Sequence, residues 1–452
     1  MRAVLRAVLR FVLRIFFRRI EISGLAHVPA SGPVIFVLNH PSGLIDPAFL
    51  LCFAPRRVSF LAKAPLFRMP VVGWFARTFE AIPVHRRMDE GSDPSQNRDT
   101  FEAARRVLAS EGAIAIFPEG VSHSDPKLRP LKTGTARIAL GAAALLGGSA
   151  PLRIVPAGLY YRAKQTFRSA ALLCFGEPFA VAPVPLAPGA EPPAGPVREL
   201  TAVVERALAA ITLQAEQVEA LALIERAERI FSAAEEAPAA PRALAEEFEL
   251  RRRFVAGYHV VRARWPERFD RLRARIDRYE GALAAAGLDA RHLTPRSFTL
   301  GRVARYAAQS VLVALVLLPA ALLGAVIHYP AYRLVDYIAK RVVRDQAEGL
   351  ASVKVLGAML LFPITWAVLA LAAWARLGVW GAALVTPCLP VTGYAALVFF
   401  ERLDGIEGRA RAFGLFALRR WAFLRLQAER RAIRDAILEL GREVDRESLA
   451  PS

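Results

Sequence analysis

Two polar segments, each directly behind a short apolar run, hold the residues best suited to chemistry. NHPSGLIDP (39–47) offers Asn39, His40, Ser42, Gly43 and Asp46, and FPEGVSHSDPKLRPLKTG (117–134) offers Glu119, Gly120, Ser122, Lys132 and Gly134. An imidazole followed across a Pro-Ser-Gly turn by a carboxylate can act as a pair, the carboxylate holding one ring nitrogen and leaving the other to take a proton. The same pattern also serves as a helix cap, and nothing local separates the two readings. A third run, AIPVHRR (81–87), ends in Arg86 and Arg87, and guanidinium groups bind phosphate through paired N–H donors. Base, carboxylate and arginine on one face would suit a hydroxyl on a phosphate-bearing substrate. The plainer reading makes Glu119 a helix cap and the arginines surface charge.

Other chemistries lack their signatures. No G-x-S-x-G, G-x-x-x-x-G-K-[ST], H-E-x-x-H or G-x-G-x-x-G pattern occurs in the chain, which removes the main support for a serine hydrolase, P-loop NTPase, zinc protease or dinucleotide enzyme. Cys52, Cys174 and Cys388 are odd in number and far apart. They predict neither a disulfide framework nor a metal site, and a reducing compartment.

The elements that must position these residues follow from the hydrophobic pattern. Residues 33–40, 57–63, 81–87, 112–120 and 152–161 are short apolar runs bounded by Gly, Pro or charge, with helical spacing over 99–110 and 134–145. That predicts an α/β domain over 21–185 with a largely parallel sheet flanked by helices, in which ligand sites lie at the carboxyl ends of strands. LAPGAEPPAGP (186–196) predicts a linker, and the Ala-, Leu-, Glu- and Arg-rich stretch 197–300 a helical region. Within 301–400 lie three long uncharged runs, Ala307 to Ile327, Val355 to Ala375 and Leu377 to Phe400. At a rise of about 1.5 Å per residue each can cross about 30 Å of hydrocarbon, so this region is predicted to be membrane-embedded helix. Residues 401–452 form a basic helical tail.

The composition agrees with such segregation. The chain is 54% hydrophobic and 22% charged, with a mean hydropathy of +0.31, more apolar than an ordinary soluble domain. Its net charge of +19 calls for an anionic partner. Without an RNA-binding aromatic motif or zinc-finger spacing, phospholipid headgroups are favoured and nucleic acid is not expected. Over residues 1–20, Arg2, Arg6, Arg10, Arg14 and Arg18 recur opposite Val4, Leu5, Leu9, Val12, Ile15 and Phe16. This predicts an amphipathic interfacial helix, the alternative being a helix docked on the protein's own core. Arg333, Lys340, Arg341, Arg344 and Lys354 separate the first two uncharged runs, and Arg376 alone separates the second and third. The positive-inside rule then puts the α/β domain, that loop and the tail on the cytoplasmic side. Val355 to Ala375 and Leu377 to Phe400 would form a transmembrane hairpin with Arg376 at its far turn, and Ala307 to Ile327 would bend at Pro319 without crossing.

The ordered set NHPSGLIDP, AIPVHRR, FPEGVSHSDPKLRPLKTG and LRIVPAGLYY resembles the four sequence blocks of the glycerolipid acyltransferase family, which includes lysophosphatidate and glycerol-3-phosphate acyltransferases. The resemblance implies an acyltransferase domain in which His40 is the general base and Asp46 its orienting partner. It further implies Arg86 as a phosphate ligand, Glu119, Gly120 and Ser122 as acceptor-site residues, and Pro156 as part of the fourth block near the acyl pocket. The reaction implied is direct transfer from a thioester, acyl-CoA or acyl carrier protein, to a lysophosphatidate hydroxyl, with no cofactor. Glycerol-3-phosphate or dihydroxyacetone phosphate is the alternative acceptor. Five residues rather than the family's usual four separate His40 from Asp46, a spacing that resembles the branch with fungal-type glycerol-3-phosphate acyltransferases. Pro83 and His85 also depart from the second block, so Arg86 and Arg87 compete for one role. His123, in a polar loop, is expected to be exposed. A reading of another class, a catalytically dead lipid-binding protein or transporter, fits less well: His40, Asp46, Arg86 and Glu119 are intact, and nearly charge-free runs make a poor transport path.

Overall fold

The computed structural model describes residues 1–85, 97–148, 150–164, 166–187, 190–234, 242–288, 300–343 and 347–448. The chain divides into two compact units, one of residues 1–216, 243–248 and 343–355, the other of 217–242, 249–342 and 356–452.

The first unit is built on strands β1 (Phe17–Ser23), β2 (Val34–Leu38), β3 (Ser59–Lys63), β4 (Ile82–Val84), β5 (Ala113–Ile116), β6 (Arg153–Tyr161), β7 (Ser169–Phe175) and β8 (Phe179–Ala180). They form one sheet in the order β1-β7-β6-β2-β5-β3-β4, with β8 on β6. All pairings are parallel except β6 with β7 and with β8. Helices α2 (Ile45–Phe53), α4 (Asn97–Ala109), α5 (Gly134–Leu146) and α6 (Ala194–Ala209) flank it, while α3 (Pro70–Thr78) packs on the short 64–68 turn that follows β3. β2 is covered on both faces, its five residues VIFVL fully buried, which is why it reads as an unbroken apolar run. Ile35, Val37, Ile114 and Ile154 pack with Leu108 of α4, Ile138 of α5 and Val204 and Leu208 of α6.

Two boundaries differ from the sequence reading. Helix α1 (Arg2–Phe16) stops at Phe16, and residues 17–23 are the edge strand β1, paired with β7. Leu5, Leu9, Leu13 and Phe16 are buried, Arg2 donates to Glu80 at 2.8 Å, and Arg10 donates to the Cys52 carbonyl of α2. One face of α1 is therefore docked on the unit's own core, and the side left to solvent carries Val4, Val8 and Phe11. The Pro-rich stretch 186–196 is likewise no unit boundary, because α6 behind it packs its Val197, Val204 and Leu208 into the sheet's core.

In the second unit, α7 (Val218–Ala234), α9 (Pro266–Ala285) and α12 (Arg420–Ser448) are amphipathic helices, accompanied by most of α8 (Leu244–Arg264). Leu223, Ile230, Ile276, Tyr279, Phe423 and Ile433 form a core of these helices, so the basic tail is a packed helix that buries Arg430 and leaves Arg425 and Arg431 exposed. Arg251 is buried between Glu228 and Glu225. Helices α10 (Leu300–Val343) and α11 (Ala347–Leu418) carry the apolar runs. The spans 315–343 and 349–403 are each long and apolar enough to cross a membrane, with mean hydropathies of 1.6 and 2.2. Contrary to the expected break, α10 continues through Pro319 and Pro330. The interruption lies in α11, at Gly378 (φ 69°, ψ −170°). Both arms of α11 contact α10: Trp366 Nε1 donates to His328 Nε2 at 2.9 Å, and a Cβ on Gly324 would stand 2.0 Å from the Thr392 carbonyl. α11 is thus a helical hairpin turned at Gly378, two residues beyond Arg376.

Candidate active site

The end of β2 is pinned to β6 by Asn39, which donates from Nδ2 to Leu159 O at 3.0 Å and accepts from Leu159 N at 2.7 Å. The chain then turns through residues 41–44, with Gly43 left-handed at φ +54°, into α2. His40 and Asp46 meet across this turn, Nδ1 to Oδ2 2.8 Å apart. The five intervening residues, Pro41 to Ile45, make up this turn and the first residue of α2. Asp46 is fully buried, and its carboxylate accepts two more hydrogen bonds, from Ser42 N to Oδ2 and from the Tyr161 hydroxyl to Oδ1, both 2.7 Å. Burial, reinforced by the Asp46 charge, pushes the Tyr161 hydroxyl far above its ordinary range, so it remains a donor throughout the physiological range. With Nδ1–H given to Asp46, His40 Nε2 carries the free lone pair. The ring stacks on Phe117, centroids 4.1 Å apart, and its side chain is 17% exposed.

Glu119 does not face outward. Its side chain is fully buried: Oε1 accepts from His40 N at 3.1 Å, while Oε2 accepts from Arg129 N at 2.8 Å and from His123 Nε2. His123, expected in solvent, is buried. Its Nδ1 accepts from Asp125 N at 3.2 Å, and its own amide donates to His40 O at 3.1 Å. The polar loop 117–134 therefore folds back over its glutamate and grips the His40 backbone from both sides. This departs from the acceptor-facing carboxylate implied by the resemblance, because both oxygens are already occupied by the protein's own donors.

Gly120 adopts φ +73°, and a Cβ there would stand 2.7 Å from Lys132 Nζ, so the lysine lies directly over it. Ser122 is half-buried on the same loop. Pro156 lies inside the sheet, in register with Val37 and accepting from Gly176 N at 2.8 Å. The fourth block instead reaches the site through Tyr161 at its carboxyl end. No spacing marked that tyrosine, since its role depends on β6 lying beside β2. Arg86 and Arg87 lie outside the described residues, immediately past β4 and His85. Lys164 Nζ donates to Pro41 O at 2.8 Å and to Ser124 Oγ at 2.7 Å, tying the His40 turn to the loop.

The assembly, a buried carboxylate orienting a half-open imidazole at the carboxyl edge of a parallel sheet, can abstract a proton from a hydroxyl. Comparison with known proteins bears on the family rather than on these side chains. Residues 19–160 match the Acyltransferase family model, and residues 223–447 match the glycerol-3-phosphate acyltransferase 2 C-terminal domain. An uncharacterized acyltransferase of Schizosaccharomyces pombe is 26% identical over 78% of this chain and 64% of its own length. Glycerol-3-phosphate O-acyltransferase 2 of Saccharomyces cerevisiae is 33% identical over 36% of this chain and 21% of its own. A chloroplastic 1-acyl-sn-glycerol-3-phosphate acyltransferase of Brassica napus is 29% identical over 27% of this chain and 34% of its own. The chain thus spans less than two thirds of each relative's length. An acyltransferase domain carrying the histidine-aspartate block and a second domain of the glycerol-3-phosphate acyltransferase 2 type follow one another in a single polypeptide, and the chain belongs to the glycerolipid acyltransferase family.

Proposed function

We propose that this chain is an O-acyltransferase that moves a fatty acyl group from a thioester to a hydroxyl of a phosphorylated glycerol at the cytoplasmic face of a membrane. The observation that carries this reading is the 2.8 Å contact of His40 Nδ1 with the buried Asp46, which leaves Nε2 as the base. The acceptor hydroxyl gives its proton to Nε2 while its oxygen attacks the thioester carbonyl carbon. Collapse of the tetrahedral intermediate breaks the C–S bond, and the imidazolium returns the proton to the departing thiolate. Ester and thiol are the products, with no covalent enzyme intermediate. Asp46, held by Ser42 N and Tyr161, stabilises the imidazolium in between. The transfer as proposed needs no cofactor, the acyl-CoA or acyl carrier protein being a co-substrate.

Arg86, two residues past β4, is the proposed ligand of the acceptor phosphate, with Arg87 its competitor. Of the two acceptors, glycerol-3-phosphate is preferred, supported by the C-terminal match over residues 223–447 and by the five-residue spacing. Lysophosphatidate is the second reading, favoured by the relatives of that name, whose similarity lies within the acyltransferase domain. The cytoplasmic placement is supported by the lysines and arginines between the apolar runs and after the last of them. Membranes containing the protein, given labelled acyl-CoA and each acceptor in turn, test the proposal. Acylation of glycerol-3-phosphate that His40→Ala lowers by about 10² to 10⁴ is expected. Transfer that His40→Ala leaves intact refutes the mechanism, and transfer to lysophosphatidate alone selects the second reading.

A further inference from the structure

The turn that carries His40 and Asp46 is fastened by a residue 310 positions away in sequence. Ser352 lies near the start of α11, within the 343–355 segment of the first unit, and is 5% exposed. Its Oγ accepts a hydrogen bond from Leu44 N and donates one to Ser42 O, both 3.0 Å long. These two peptide groups flank Gly43, whose left-handed φ of +54° makes the turn possible. The turn has its own hydrogen bond, Ile45 N to Ser42 O at 3.2 Å, and the Ser352 hydroxyl adds a bridge from outside between the two peptide groups around Gly43, whose conformation only glycine adopts readily. The effect reaches the proposed base through one residue: Ser42 N donates to Asp46 Oδ2, the oxygen that also holds His40 Nδ1. Ala351 and Val355, on either side of Ser352, are buried as well, which keeps this part of α11 fixed against the unit.

We propose that Ser352 is a positioning residue for acyl transfer, its hydroxyl locking the 42–44 turn so that Asp46 keeps His40 aligned. The proposal rests on His40 and Asp46 being the catalytic pair. It assigns to the first turns of the long apolar helix a part in the chemistry of a domain that precedes it by some three hundred residues. Among the described residues, both hydrogen bonds of this hydroxyl go to the turn.

The test compares Ser352→Ala, Ser352→Cys and Ser352→Thr in the full chain, assayed in membranes for kcat and for both KM values. Loss of the lock is expected to lower kcat about tenfold in the alanine variant, leaving acceptor and donor KM within about twofold, a magnitude in keeping with the loss of two neutral hydrogen bonds. Threonine, which keeps the hydroxyl, is expected to restore kcat. Cysteine, of similar size but a weak donor, covers the case in which alanine does not accumulate, and its kcat should also fall. In an Asp46→Asn background the alanine change should have no further effect, because the path it acts through is already broken. Full kcat in both the alanine and cysteine variants, or an equal loss in both backgrounds, overturns the proposal. Wild-type activity in His40→Ala would instead overturn the catalytic-pair reading, a separate result that the same assay distinguishes.

Discussion

Tyr161→Phe removes one oxygen from the site and very little else. The ring stacks on Phe17 with centroids 5.5 Å apart and meets Phe49 edge-on at 5.6 Å, and phenylalanine keeps both contacts. What is lost is the 2.7 Å hydrogen bond to Asp46 Oδ1, in a place where water does not reach the carboxylate. A hydrogen bond to a charged group contributes about 1.5–3 kcal/mol, a factor of about 12 to 150. Two of the three donors to Asp46 remain, Ser42 N and His40 Nδ1, so the effect on kcat should fall at the lower end, about tenfold, with both KM values unchanged. The remainder should appear as lowered resistance to denaturation. Initial rates of acyl transfer over a range of acceptor and donor concentrations measure the first, and thermal unfolding in detergent the second. Wild-type kcat in Tyr161→Phe, alongside an inactive Asp46→Asn, would show that Oδ1 needs no donor and that the tyrosine is only a packing residue.

Four further outcomes are expected. Arg86→Ala should raise the acceptor KM about 10- to 150-fold with little change in donor KM, and an unaffected acceptor KM would transfer the role to Arg87. Glu119→Gln places an amide N–H₂ against at least one of the donors His40 N, Arg129 N and His123 Nε2, so thermal stability and kcat should fall while the acceptor KM holds. A raised acceptor KM at unchanged stability would restore the acceptor-binding role. On a cysteine-free background, a cysteine in place of Arg376 should be labelled from the side opposite one in place of Arg402, whereas same-side labelling would show that the α11 hairpin does not cross. Cys52, its thiol pushed up to about 12 from 9.0 by burial, stays neutral in the fold after the unfolded chain has ionised. Stability from this group is therefore complete below pH 9 and declines between pH 9 and about 12, and Cys52→Ala should show a shallower alkaline loss in unfolding measurements.

The parts of this fold legible in the sequence were those written into contiguous residues. VIFVL and AIAI announce central strands because burial on both faces leaves no room for a polar position, and the histidine-aspartate block lies within seven residues. The parts that escaped depend on distant segments. FRRIEIS gives no clean alternation, and residues 17–23 become a strand only because β7 lies alongside. Glu119 stood where the pattern put it, yet the direction of its carboxylate was set by the return of the loop through Arg129 and His123. Tyr161 needed β6 beside β2, and Ser352 needed the start of α11 beside the 42–44 turn. In the tail, Phe423 and Ile433 are core residues hidden among arginines, and only α7 and α9 reveal them.

The grip on the His40 backbone has a thermodynamic consequence. Its N–H is held by Glu119 and its carbonyl by the His123 amide, so the proposed base has little freedom left to lose when substrate arrives. Ordering a backbone residue costs about 1–2 kcal/mol, and here that cost is incurred once, during folding, rather than in every turnover. The activation entropy of the transfer step should accordingly reflect the two substrates coming together and not the recruitment of the imidazole. Loosening the loop, even by a change that leaves Nε2 and Asp46 chemically intact, should make the activation entropy more negative while the activation enthalpy stays nearly constant.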